Sequence, residues 1–143
     1  MIVNTSLAAL LVLSPATTVE PPNPDWNCDD PTRQQEMNWC AGQDYAAADA
    51  ALNAQWTITS AKMKARDASW NEFADPDMDD RPGWFASLLE AQRAWLTYRD
   101  AHCRVDGYTA RGGSLEPLLV STCKTALTQA RTGELKELAQ SPY

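Results

Sequence analysis

Basic charge, histidine and long apolar runs are scarce in this sequence, and each scarcity removes a class of function. Twelve Lys and Arg stand against nineteen Asp and Glu in 143 residues, a net charge of −7. Proteins that grip nucleic acid normally present a basic face, so that class is set aside. There is one His, and no two cysteines stand at metal-ligand spacing, so no metal site is expected. No Cys-x-x-Cys occurs, which removes the dithiol redox enzymes. Strand signals are also missing: no segment alternates β-branched and polar residues, and no hairpin turn lies between two such segments. The one apolar run, Leu7 to Leu13, is too short to cross a bilayer.

That run is the length of a signal-peptide core, and Ser14, Pro15 and Ala16 follow it as small residues near a cleavage point. Residues 1–16 are therefore read as a signal peptide, although no Lys or Arg precedes the core. No cysteine follows it closely, so a lipid anchor is not expected. Residues 17–27 are Pro-rich and read as a flexible N-terminal tail. Residues 28–140 are expected to form one domain with one modest core. Four cysteines, Cys28, Cys40, Cys103 and Cys123, suit a small exported protein in a periplasm or outside the cell. They allow three disulfide connectivities.

The pattern that is present is helical. Met37, Ala41, Tyr45, Ala48, Leu52, Trp56, Thr59 and Met63 recur at three- and four-residue steps, predicting a helix from about residue 32 to 70. Asp29-Asp30-Pro31 reads as its start and Gly42 as a point where it could split. A second helix is expected over about residues 82–103. Its apolar stripe is Trp84, Leu88, Ala91, Trp95, Tyr98 and His102, widened by Phe85, Leu89, Leu96 and Cys103. Gln92 and Arg99 project from within this arc, so Arg99 needs a partner. Asp49 and Asn53 lie at the edge of the first helix's stripe. These four residues are expected to form one buried polar cluster, with Asp49 paired to Arg99.

Between the two helices, Asp75, Asp77 and Asp79 imitate the start of a calcium loop. Asp80 stands where that loop requires glycine and Ala86 where it requires Glu, so an acidic connection is expected. After the second helix, Gly112-Gly113 allow unusual backbone angles and Ser114 is placed to cap a third helix. Leu115, Leu118, Leu119, Thr122, Cys123, Ala126 and Ala130 form that helix's expected buried face, with Gly133 weakening it towards Ser141-Pro142. The fold class is all-α: a small antiparallel bundle of three main helices, the first either continuous or split at Gly42, with two disulfides. No catalytic constellation emerges. His102 sits on an apolar stripe, Ser114 and Ser121 have no His–acid partners in sequence, and paired carboxylates occur only in the acidic linker.

Several motifs in order carry a resemblance. They are Asp49-Ala-Ala-Leu52-Asn53, Ala91-Gln92-Arg93-Ala94-Trp95 with Tyr98-Arg99-Asp100 and Cys103, then Gly112-Gly113-Ser114 and Cys123. Together they resemble the LprI-like lysozyme-inhibitor family of small secreted bacterial domains, over about residues 28–138. The resemblance implies the pairing Cys28–Cys40 and Cys103–Cys123, which also closes the short loops. Bridged Cα atoms lie within roughly 7 Å, so the first bridge forms only if the first helix starts near residue 32 or later. The resemblance further implies a protein partner, a lysozyme; no cofactor is expected from the residues. An inhibitor of that kind occludes a cleft flanked by two carboxylates, and an acidic chain gains association rate on a basic enzyme. Two exposed segments are candidates for that contact. One is Tyr108, Arg111, Gly112 and Gly113, with Arg111 offered to the carboxylates. The other is the acidic linker with Asp77, Asp79 and Asp80. The alternative is an envelope interaction module without lysozyme inhibition, in which an exposed Trp26, Trp39 or Trp70 marks the contact.

Overall fold

A computed structural model describes residues 22–23, 25–73, 75 and 79–142. The region read as a signal peptide, most of the tail and Asp77 lie outside the described residues. Three helices account for the fold: α1 (Gln34–Asn71), α2 (Trp84–Gly107) and α3 (Glu116–Gln140), with a single 3-10 turn at Tyr108–Ala110. Among the described residues there is no strand.

The chain runs up, down and up. Asn38 Nδ2 donates to the Ser114 carbonyl at 2.9 Å, and Thr59 Oγ1 donates to the Leu135 carbonyl at 2.9 Å. Both pairs are offset by 76 residues, so α1 and α3 run parallel in constant register. The α2 helix runs antiparallel to both, as Cys103–Cys123 near its C-terminus and Asp67–Trp84 at its N-terminus require. Leu52, Met63, Leu88 and Leu135 form the core, with Trp56, Phe85 and Trp95 packed against it.

The α1 helix follows its sequence pattern closely: Ala41, Ala48, Leu52, Thr59 and Met63 are all buried. Gly42 does not split it, and α1 is continuous over 38 residues. Along α2 the buried line is shifted from the expected stripe. Leu88, Gln92, Arg99 and Cys103 face inward, whereas Ala91, Tyr98 and His102 are exposed. A four-residue repeat around Gln92 and Arg99 wins over the apolar positions because those polar groups find partners on the neighbouring helices. His102 instead stacks on Tyr98 at 5.2 Å. On α3, Thr128 and Leu135 are fully buried, while Ala126 and Ala130 are exposed. Gly133 does not weaken the helix enough to end it, and α3 runs on to Gln140.

The capping residues expected from the sequence are not the ones used. Asp29 and Asp30 do not cap α1. Its own Glu36, 4 % exposed, accepts the backbone N–H groups of Asn27 at 2.6 Å, Thr32 at 3.0 Å and Arg33 at 3.3 Å. The hydrogen bonds from Asn27 and then Thr32 hold this carboxyl below its ordinary range. Ser114 does not cap α3, which has Leu115 at its N-cap. The α2 helix begins at Gly83, which has no side chain to cap with, so Asp67 of α1 accepts from Trp84 N at 2.6 Å and Phe85 N at 3.0 Å. The last carbonyls of α3 at Leu138 and Ser141 receive hydrogen bonds from the Arg66 guanidinium. Both expected disulfides are present, Cys28–Cys40 and Cys103–Cys123, with Cα separations of 5.5 and 5.4 Å. The start of α1 at Gln34 meets the geometric condition on the first.

The Asp67 cap makes a prediction. Asp67→Ala should lower unfolding free energy by about 1 kcal/mol, the usual worth of an N-cap. Gly83→Ala should destabilise as well, because its Cβ would lie 2.4 Å from Asp67 Oδ1. Urea denaturation of both single variants and the double variant tests this. The two effects should be less than additive, since both act through one cap.

Candidate functional site

Two regions compete as the site: the polar cluster inside the bundle and the exposed segments at its ends. The cluster is built around Arg99, 5 % exposed and reached from all three helices. Its Nη1 donates to Asp49 Oδ1 of α1 at 3.3 Å and to Thr128 Oγ1 of α3 at 3.5 Å. Its Nε donates to Asp100 Oδ1 at 3.0 Å. The guanidinium carbon lies 5.3 Å from the Tyr45 ring and 5.2 Å from the Trp95 ring. Asn53 Nδ2 donates to Asp49 Oδ2 at 3.1 Å, which orients that carboxylate. Gln92 is not in this cluster. One layer away, its Oε1 accepts from Arg131 Nε at 3.0 Å, and Arg131 is held in turn by Glu134 at 2.6 Å.

This cluster is organised for holding helices together. Every group in it is satisfied, and no buried side-chain nitrogen or oxygen among the described residues lacks a partner. Partial burial raises the Asp100 pKa, but Arg99 and then Lys124, 3.3 Å away, outweigh it and leave the carboxyl below its ordinary range. Among the described residues no three His, Cys, Asp or Glu side chains are grouped to hold a metal. Sequence reasoning missed Thr128, Arg131, Asp100 and Lys124. The Arg131–Glu134 spacing of three was a visible helical ion-pair signal.

The exposed candidates lie at opposite ends. Tyr108, Arg111, Gly112 and Gly113 form the turn between α2 and α3, where α1 also begins. Arg111 is exposed and lies 4.5 Å over the Tyr108 ring. Gly112 has φ +75°, and its N–H donates to Glu116 Oε2 at 2.7 Å. Gly113 N donates to the Ala110 carbonyl at 2.8 Å. The Cys103–Cys123 bridge closes the base of this turn, and Asn38 ties it to α1. Asp79 and Asp80 precede α2 at the other end. Asp79 pairs with Arg81 at 2.7 Å, and that hydrogen bonding brings its carboxyl down to about 2. The 24 residues of α2 separate the two ends by about 36 Å, so a single cleft cannot take both. Of the aromatic markers, Trp39 is half-buried and lies 6.2 Å from Trp26, whereas Trp70 is 50 % exposed.

Comparison with known proteins bears on this geometry. The family model described as Lysozyme inhibitor LprI matches residues 28–135, from the first bridged cysteine to the buried leucine of α3. The chain belongs to the LprI family. A relative from Rhizobium meliloti (strain 1021), named Uncharacterized protein R02472, is 44 % identical over 136 residues, covering 95 % of this chain and 94 % of its own. No solved structure matches. The matched stretch of this LprI domain contains both disulfides, the Arg99 cluster and the Arg111 turn. LprI is a family of inhibitors, which is consistent with a domain that performs no catalysis.

Arg99→Ala should cost about 2–3 kcal/mol, because charged hydrogen bonds and ring packing are lost while the acids it leaves are partly open to water. Arg99→Lys should recover little of this, since an ammonium cannot serve three helices at once. Chemical denaturation measures both. The lowered carboxyls set a pH dependence: a group with depressed pKa stabilises above its unfolded value and loses that contribution as pH falls through its folded value. Melting temperature should therefore fall below about pH 4. Glu36→Gln and Asp100→Asn should each flatten that acid limb.

Proposed function

We propose that this domain is an exported inhibitor of a basic lysozyme-type muramidase, and that the Tyr108–Ser114 turn enters the enzyme's cleft. The observation that carries this reading is the presentation of Arg111. Its guanidinium stands exposed on a turn held by a disulfide, a ring stack and the Glu116 carboxylate that accepts from Gly112 N, so little ordering entropy remains to be lost on binding. A cleft that cleaves glycosidic bonds is flanked by two carboxylates. A guanidinium matches a carboxylate in charge and in bidentate geometry. Family membership supports the partner class, and the net charge of −7 supports steering towards a basic enzyme. Two disulfides suit an oxidising compartment such as a periplasm.

The linker end supports this contact less well. Asp79 is already neutralised by Arg81, and an acidic plug facing catalytic carboxylates would meet like charge.

The test is peptidoglycan lysis by a basic lysozyme, with and without the oxidised domain. Wild type should inhibit stoichiometrically. Raising salt towards about 0.15 M should slow association, because exposed charges are screened beyond about 8 Å. Arg111→Ala should weaken inhibition about 10- to 100-fold, the range of an interface anchor, with its melting temperature unchanged. Full inhibition by that variant would overturn the Arg111 contact. Failure of wild type across a panel of lysozymes would overturn the inhibitor reading.

A further inference from the structure

At the end of the bundle remote from Arg111, an open groove of about 720 Å³ runs between the end of α1, the start of α2 and the end of α3. Its walls are Trp70, Phe73 and Trp84, and Ala65, Ala139 and Pro142 complete the apolar surface. Trp70 and Trp84 meet edge to face at 5.8 Å. Phe73 is 87 % exposed, Trp70 50 % and Trp84 38 %. Large aromatic side chains gathered on an open surface mark protein contacts, because Trp is among the residues enriched where binding energy concentrates in interfaces. The arrangement is held firmly, since Arg66 and Asp67 in this part of α1 cap the ends of α3 and α2.

The charge of the groove specifies its occupant. The chain carries −7 overall, yet among the described residues the charged side chains lining the groove are Lys62 and Arg66. Arg66 is committed to the α3 carbonyls and to Met63 Sδ. The Lys62 side chain is exposed, and none of the ion pairs among the described residues includes it. We propose that this groove docks a protein segment that combines an aliphatic or aromatic anchor with a carboxylate: the anchor on Trp70, Phe73 and Trp84, the carboxylate on Lys62. A broad anionic surface such as a membrane fits less well, because binding to anionic lipid draws on a cluster of basic side chains, and of the two lining this groove Arg66 is already committed. An open groove also suits a protein segment better than a small molecule, which needs most of its surface enclosed. The proposal is independent of lysozyme inhibition. It makes the domain two-ended, with an acidic partner about 36 Å from the Arg111 turn by the rise of the 24-residue α2.

Two capped probe peptides test this, one alternating Leu and Glu, the other alternating Leu and Lys. Each is titrated into the isotope-labelled, oxidised full chain, and the indole N–H signals are followed. The Leu/Glu peptide should shift the Trp70 and Trp84 signals. Phe73→Ser and Lys62→Glu should each weaken it about ten-fold, a usual loss at an interface anchor. Both residues are exposed, so the melting temperatures should be unchanged. Lys62→Glu should turn the preference towards Leu/Lys. Equal or tighter binding of Leu/Lys by wild type would overturn the charge assignment, and no shift from either peptide would overturn the groove as a docking site. Phosphatidylglycerol vesicles provide the third arm. Vesicle binding lost in Phe73→Ser, without peptide binding, would replace the protein partner with a membrane.

Discussion

Arg99 is the one charge that all three helices share, and its burial constrains the bundle. A guanidinium taken from water persists only if its donors find acceptors, and here they come from a different element on each side: Asp49 on α1, Asp100 on α2 and Thr128 on α3. Rotating any helix by one position would break one of those contacts. The same requirement explains why α2 does not bury its most apolar stripe. Tyr98 and His102 can face water and stack on each other at little cost, whereas Arg99 facing away from Asp49 would leave Thr128 and the interior without a partner.

Register along the bundle is set by a second, quieter set of contacts. Asn38–Ser114 and Thr59–Leu135 share one sequence offset and lie 21 residues apart on each helix, three heptads of a parallel α1–α3 pair. Both join a side chain of α1 to a carbonyl belonging to α3 or its lead-in turn. Sliding α3 by one turn would therefore leave a fully buried Thr59 hydroxyl unsatisfied, as well as displacing the leucines of the core. Helix ends obey the same economy. Glu36, Asp67 and Arg66 each serve backbone groups that the local sequence leaves open, and the last two also tie α1 to its neighbours.

Much of this was legible in the residue order, and the misses have a common cause. The α1 period, the three helices and the all-α class followed from apolar spacing, which is strong where Ala41, Ala48, Leu52 and Met63 dominate. The bridges Cys28–Cys40 and Cys103–Cys123 were legible through the family resemblance. What spacing could not show was which polar residues would be drawn inside. On α3, Ala126 and Ala130 lost to Thr128, because a threonine that accepts from Arg99 is better placed inward than an alanine that fills no space. Gln92 was assigned to Arg99 on the strength of its own helix, but its partner, Arg131, is set by the helix opposite. Capping erred similarly. Asp29, Asp30 and Ser114 are good local caps, yet α1 starts after Arg33 with Glu36 taking the open N–H groups, α3 starts after Leu115 with no side-chain cap, and α2 draws its cap from another helix through Asp67.

The two ends of the molecule are held by different means, and that difference bears on what each can do. Both disulfides lie at the end where α1 begins and α2 turns into α3, and the Arg111 turn sits on one of them. The other end is closed by Arg66, Asp67 and an edge-to-face pair of tryptophans. A short turn must keep its shape in a narrow cleft, where every degree of freedom lost on entry is lost affinity, and covalent closure removes that loss in advance. An open aromatic groove has a weaker requirement, since large flat side chains retain contact as a partner shifts across them. Placing the cross-links at the arginine end and the aromatics at the other is therefore what the physics of a plug and of a docking face would separately ask for. Because α2 connects the ends rigidly and the Arg99 cluster locks its rotation, the two surfaces keep a fixed relation without either having to be built from the other.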